Sequence, residues 1–268
     1  MLVFDKPKYI KWLEPKEIII DKTHKIFCYE LKYDLNNNEV LDDWAKHIRR
    51  HYMSDDELEY FSKLSEMTYS DYLSSYIIPR EGSELGSTTI SGEFAEILTY
   101  DIREYIFGEL SFRGRHNCKS TPEQGVTGSD IITCKMVKTD SADENDVLFI
   151  TESKAILSKT DYSVLTKSYD DSKKDSFRYS KSLNYLARLY RNNGENDMVL
   201  KVERFLMKSK KSHRESFEGS GTTSLKSFDK NDLLDCYDED TRFERAIFVY
   251  GDDLLGLAKE LYRRACCV

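Results

Sequence analysis

Two short segments of this chain carry acids in places where an acid is costly to bury. One is Gly128-Ser129-Asp130-Ile131-Ile132. The other is Val147-Leu148-Phe149-Ile150-Thr151-Glu152-Ser153-Lys154-Ala155. Both read as apolar strands. Side chains alternate along a strand, so Glu152 and Lys154 project from one face and Ser153 from the other. An Asp, a Glu and a Lys gathered at a sheet end suit the handling of a phosphodiester. The carboxylates of Asp130 and Glu152 hold a hard divalent cation such as Mg²⁺ or Mn²⁺, with the backbone carbonyl of Ser153 as a further oxygen. Lys154 stands over the attacking water, and the adjacent cation charge favours a lowered pKa and proton transfer.

The helix expected over residues 92–107 adds a fourth group. It opens Gly92-Glu93-Phe94-Ala95-Glu96. Its apolar face is Phe94, Ile97, Leu98, Ile102, Tyr105 and Ile106. Glu93 lies near the edge of that stripe and Glu96 almost opposite it, so packing on the sheet aims Glu93 at the metal more readily than Glu96. Gly92 permits close approach. The triplet acid-x-Lys occurs four times here, at Glu14, Glu30, Glu152 and Asp171. Only at Glu152 does it end an apolar strand that follows both an acidic helix and a strand opening on Asp.

The elements around these residues follow from periodicity. Ile18–Ile20 and Ile26–Tyr29 read as a hairpin. Helical spacing runs from Val40 to Tyr76, with Ser54 and Glu57 forming a capping box. Residues 79–92 read as a loop, and Leu110–Phe112, 130–137 and 147–155 as strands. Residues 161–192 read as helical, ending at Asn192-Asn193-Gly194, and 196–208 as a further helix. The Gly-, Ser- and Thr-rich stretch Ser216–Ser227 reads as a mobile loop. Strand Ala246–Tyr250 and helix Asp253–Arg264 close the chain. The fold class is therefore α/β, a mixed central sheet flanked by helices with a mainly helical N-terminal region. Two regions are expected: 1–90, a hairpin and helices suited to docking a partner, and 91–268, the catalytic domain.

Composition bounds the partners. The 268 residues are 33% charged and 40% hydrophobic, which suits a soluble globular chain. No apolar run is long enough to span a membrane, and Met1–Lys8 lacks the pattern of a signal peptide. The six cysteines form no C-x-x-C pair. That fits reduced thiols in the cytoplasm and supports neither a zinc site nor a disulfide framework. A net charge of −8 confines any nucleic-acid site to a local basic patch. One candidate is Lys201–Arg214, with Lys208, Lys210 and Lys211 among its cations. Another is the 161–192 helix, where Arg178 and Lys181 interleave with tyrosines. His47 and His51 are four apart, but with Arg49 and Arg50 between them they read as a packed or solvated helix face. Gly82–Ser87 and Gly219–Thr222 lack the lysine of a phosphate loop and read as linkers. With no helicase motif, the chain itself should not consume ATP, and no small-molecule cofactor is expected.

Together these residues resemble the PD-(D/E)-x-K restriction-endonuclease-like superfamily. More closely, the chain is similar to the nuclease subunit of the Hachiman anti-phage defence system. The similarity rests on His47-Ile48-Arg49-Arg50-His51-Tyr52 with Ser54-Asp55-Asp56-Glu57-Leu58, on Gly92–Glu96, on Gly128-Ser129-Asp130 and on Glu152-Ser153-Lys154. Here Gly-Ser, not Pro, precedes the Asp. The resemblance implies a restriction-endonuclease-like core with Asp130, Glu152 and Lys154 as the catalytic set and Glu93 as the helix carboxylate. It also implies a helicase subunit that restrains the nuclease until phage-induced DNA damage. The function expected is a Mg²⁺-dependent DNA endonuclease. The alternatives are a catalytically inactive DNA- or partner-binding module on the same fold, or an RNase.

Overall fold

A computed structural model describes residues 4–19, 24–83, 85–125, 127–206, 213–237 and 243–268, with the backbone alone at 17–19 and 118. The chain builds a seven-stranded mixed sheet flanked by helices, as the sequence predicts. Among the described residues, no helix is long and apolar enough to cross a membrane.

The N-terminal hairpin is β1 (Leu13–Ile19) and β2 (Lys25–Leu31). Helices α1 (Asn38–Tyr52) and α2 (Asp55–Ser65) follow. Both capping-box bonds are made at the start of α2: Glu57 N–H donates to Ser54 Oγ at 3.2 Å, and Ser54 N–H to Glu57 Oε2 at 2.9 Å. A short α3 (Tyr69–Tyr72) leads to α4 (Gly86–Asp101). This helix starts at Gly86, before the expected Gly92, because Ile90 already packs in the core. Strands β3 (Leu110–Ser111), β4 (Ile131–Lys135) and β5 (Val147–Ile156) come next. Then follow α5 (Val164–Ser172), α6 (Asp175–Asn192) and α7 (Asn196–Leu206). The chain ends with β6 (Arg214–Ser224), α8 (Lys230–Cys236), β7 (Arg245–Gly251) and α9 (Leu254–Ala265).

The strand order is β1-β2-β7-β6-β5-β4-β3. The centre, β2-β7-β6-β5, is parallel, and both edges are antiparallel. Residues before 90 thus share one sheet with those after it. Helices α1, α4 and α9 cover one face, where Tyr9, Trp44, Ile48, Phe94 and Leu261 are buried together. The other face is covered by α6 and α7 over β4 and β5, and by α5 and α8 over β2 and β7.

The stretch expected to be a mobile loop is instead β6, a central strand, and Gly219–Thr222 is no linker. Sequence reading takes Gly, Ser and Thr as loop formers, but here they solve a packing problem. A Cβ on Gly219 would lie 2.1 Å from Phe243 Cε2 and 2.5 Å from Ser168 Oγ, and one on Gly221 2.4 Å from Val164 Cγ2. Only glycine lets α5 and Phe243 lie this close to the sheet. On the opposite face Ser220 Oγ shares a 2.8 Å hydrogen bond with Thr99 Oγ1 of α4. Gly219→Ala should therefore lower stability by about 1–3 kcal/mol through overpacking. Urea unfolding measures it, and a midpoint equal to that of the native chain would show that α5 yields freely.

Candidate active site

The register of β4 on β5 pairs Ile131 with Thr151, so one step further Asp130 lies across from Glu152. On the same face of β5, Leu148 and Ile150 pack against α6 and α7. The apolar ladder stops at 152 and charge begins. Glu152 is 5% exposed and Asp130 8%. Ser153 N–H donates to Asp130 Oδ2 at 3.1 Å, which ties the loop before β4 to β5. Lys154 Nζ is 3.1 Å from Glu152 Oε1 and 2.6 Å from Asp171 Oδ2, at the end of α5.

From α4 the structure brings Glu96 to this cluster, not Glu93. Gly92 and Glu96 line a cavity of about 470 Å³ together with Asp130, Glu152 and Lys154. The stripe of α4 that meets the sheet is Gly92, Glu96, Thr99 and then Arg103, spaced by three and four. Its small residues allow close approach, while the large apolar residues that were expected to face the sheet pack against α1 and α9. Glu93 goes with them. It accepts from Tyr52 OH at 2.5 Å and from Lys119 Nζ at 2.6 Å. The orientation argued from the apolar stripe is thus reversed.

Arg115 joins the acids. It lies 2.9 Å from Asp130 Oδ1 and 3.2 Å from Glu96 Oε2, and donates to the Ser129 carbonyl at 2.8 Å. Only Gly114, at φ +137°, separates it from Arg113, which reaches a different acid cluster. His116 Nε2 also stands 3.3 Å from Glu96 Oε2.

The electrostatics separate the carboxylates. Burial pushes the Asp130 pKa well up, and the charges of Glu96 and Glu152 add to it against Arg115. Glu96 is held below the ordinary range: burial works against its charge, but Arg115 and His116 outweigh it. Lys154 is held above its ordinary value, because Asp171 and Glu152 outweigh burial. Asp175, at the start of α6, is fully buried. Its Oδ1 accepts from Ser129 Oγ at 2.8 Å, and among the described residues Oδ2 has no hydrogen-bond partner. Burial, helped by the charge of Glu152, raises its pKa to about 6. The folded pKa lies above the ordinary 3.8, so ionisation opposes folding and stability falls as pH rises through this window. Asp175→Asn keeps an acceptor for Ser129 and removes the charge. It should raise the unfolding temperature at neutral pH and give no gain near pH 4; an equal gain at both pH values would contradict the assignment.

The remaining candidates divide. Arg178 and Lys181 line a cavity of about 580 Å³ that Asp130, Glu152 and Arg115 also border. Lys208, Lys210 and Lys211 lie outside the described residues. Arg204 of the same basic run is taken up by the buried Asp146, with its Nε 2.7 Å from Asp146 Oδ2. Among the described residues, His47, His51 and Asp101 bring three donor atoms within 4.8 Å of one another. That group is already filled. Asp101 accepts from Tyr9 OH at 2.6 Å and Arg113 at 2.8 Å, and lies 2.9 Å from His47 Nε2. Arg113 stands 2.6 Å from His51 Nε2. Burial and the Arg113 charge push the His51 pKa well down. The Arg113 guanidinium thus bridges Asp101 and His51, and both histidines are buried.

Fold and site together define an α/β protein with an acid–lysine centre at the end of a mixed sheet. The chain belongs to the HamA family, whose family model matches residues 7–265. Members of this family serve in the Hachiman anti-phage defence system, which has more than one component. No curated protein matches the chain.

Proposed function

We propose that this protein is a metal-dependent DNA endonuclease of the Hachiman defence system, restrained and released through a helicase partner. The observation that carries this reading is the gathering of Asp130, Glu152, Glu96 and Lys154 around one cavity at the end of the sheet; burial, with the charges of Glu96 and Glu152 added, drives the Asp130 pKa well up. A divalent cation reverses such a penalty, because it turns like-charged neighbours into ligands of one ion. The all-oxygen donor set suits Mg²⁺ or Mn²⁺. Asp130, Glu152 and Glu96 would hold the ion, and the Ser153 carbonyl is the candidate for a further oxygen. Such an ion would supply Lewis-acid polarisation of the phosphate and a more acidic water.

The protein's own groups have separable tasks. Ser153 N–H and Arg115 fix the two oxygens of Asp130. Glu152 and Asp171 position Lys154, which would serve as an electrostatic partner for the developing charge on phosphate. Glu93, engaged with Tyr52 and Lys119, secures the packing of α4.

Plasmid DNA incubated with the protein, with and without its partner subunit, should be nicked in Mg²⁺ or Mn²⁺ and left intact in chelator. The same ions should raise the unfolding temperature of the isolated protein by a few degrees. Absence of both effects would overturn the reading.

A further inference from the structure

We infer that the cavity between α6 and the end of β4 seats one nucleotide of a single DNA strand, so that the site acts on unpaired strand rather than on intact duplex. The inference rests on the nuclease reading and names its substrate form. The cavity holds about 580 Å³, within the usual range for a small-molecule site and sufficient for one nucleotide. Its lining is divided by chemistry. Phe112, Ile132 and Leu186 supply an apolar floor, and Tyr185 supplies an aromatic wall. That ring is 40% exposed, although a neighbouring tyrosine of α6, Tyr190, is buried in the core.

Arg178 and Lys181 stand at the rim, three residues apart and therefore on one side of α6. Both are exposed, and neither makes a salt bridge among the described residues. The lysine of α5 does otherwise: Lys167 is paired with Asp161 at 2.7 Å. Unpaired cations above an apolar, aromatic hollow suit a phosphate on one side and a base on the other. Base-on-aromatic contact with a cationic track is how proteins take single strands. A duplex keeps its bases paired and stacked, and would have to extrude one to fill such a cavity. The hollow adjoins the acids: Asp130 and Glu152 line it too, so the backbone of a seated nucleotide runs past them.

The test uses the full chain and a dye-labelled oligonucleotide of about a dozen nucleotides, within the usual single-strand site sizes. Fluorescence anisotropy in chelator compares the single strand with a blunt duplex of the same sequence. The native protein should bind the single strand at least tenfold tighter. The double variant Arg178→Ala/Lys181→Ala should lose tenfold or more, with its unfolding temperature unchanged because both side chains are exposed, and Tyr185→Ala should lose about fivefold or more. Duplex binding as tight as single-strand binding, affinities unaltered in the variants, or tighter binding of the matching RNA would each overturn the inference. Cleavage in Mg²⁺ is followed in parallel. Strand binding that the variants lose, with no cleavage by any form, upholds the cavity and removes the nuclease reading. Cleavage that the variants leave intact removes the cavity's role and keeps the nuclease.

Discussion

Glu152→Ala should lower Mg²⁺-dependent DNA cleavage by about 10³-fold, which corresponds to the several kcal/mol an ion contributes to a charged transition state. Lys154→Ala should cost about 10²–10³-fold, the usual effect of losing one preorganised group aimed at developing charge. The loss in Glu152→Ala should not come from unfolding. Glu152 is buried beside Asp130, whose protonation it promotes, so its removal relieves repulsion in the unliganded protein. Metal-free Glu152→Ala should therefore unfold at or above the temperature of the native chain, while its stabilisation by Mg²⁺ disappears. Two paired variants locate the helix carboxylate. Glu96→Gln should reduce cleavage and the Mg²⁺ shift, whereas Glu93→Gln should act mainly on stability, since Glu93 joins α4 to Tyr52 and Lys119. Cleavage within tenfold of native in Glu152→Ala and Lys154→Ala would rule out the assignment.

The acid and lysine on β5 were legible in the sequence because strand alternation is a local rule. An apolar run that ends in Glu-x-Lys places both groups on one face wherever the strand sits. The pairing with Asp130 was legible in the same way, from two strands at hairpin distance. What escaped was set by packing between elements. The α4 helix presents a small polar stripe to the sheet and its apolar stripe to other helices, so an argument from hydrophobicity aimed the wrong glutamate. Arg115 sits in a polar loop with no periodicity, and its role follows only from the course of the chain after β3. Asp171 stood in an acid-x-Lys triplet like that of Glu152, but its partners are Lys154 on β5 and Lys174, not Lys173 of its own triplet. The central strand β6 was hidden most fully. Its glycines and hydroxyl residues read as a linker, because their value lies in the distance they allow between sheet and helix rather than in any hydrophobicity of their own.

β6 also carries the largest expected effect on stability. Glu218, in the segment taken for a loop, is 1% exposed and bonded to Arg103, which is fully buried. The other end of that guanidinium donates to Glu109 Oε2 at 2.8 Å, and Thr133 Oγ1 donates to the same oxygen at 2.6 Å. Arg245 flanks both acids at 3.4 and 3.5 Å, from a less buried position. Arg103→Ala leaves two buried carboxylates with only this distant cation, and it should destabilise the fold by about 3–5 kcal/mol. That is a large part of the roughly 5–15 kcal/mol that holds a typical domain. Replacing the charges together separates desolvation from packing. If uncompensated charge is the cause, Arg103→Met with Glu109→Gln and Glu218→Gln should recover much of what Arg103→Met alone loses. The pH dependence has a definite sign. Burial works against charge on Glu109, but Arg103 and Thr133 outweigh it and hold its pKa below the ordinary 4.5. This stabilisation is complete above 4.5 and is lost as pH falls through the depressed value. Urea midpoints of the native chain should decline on acidification, those of the triple variant should decline less, and an Arg103→Ala loss under about 1 kcal/mol would show that solvent or Arg245 compensates the acids.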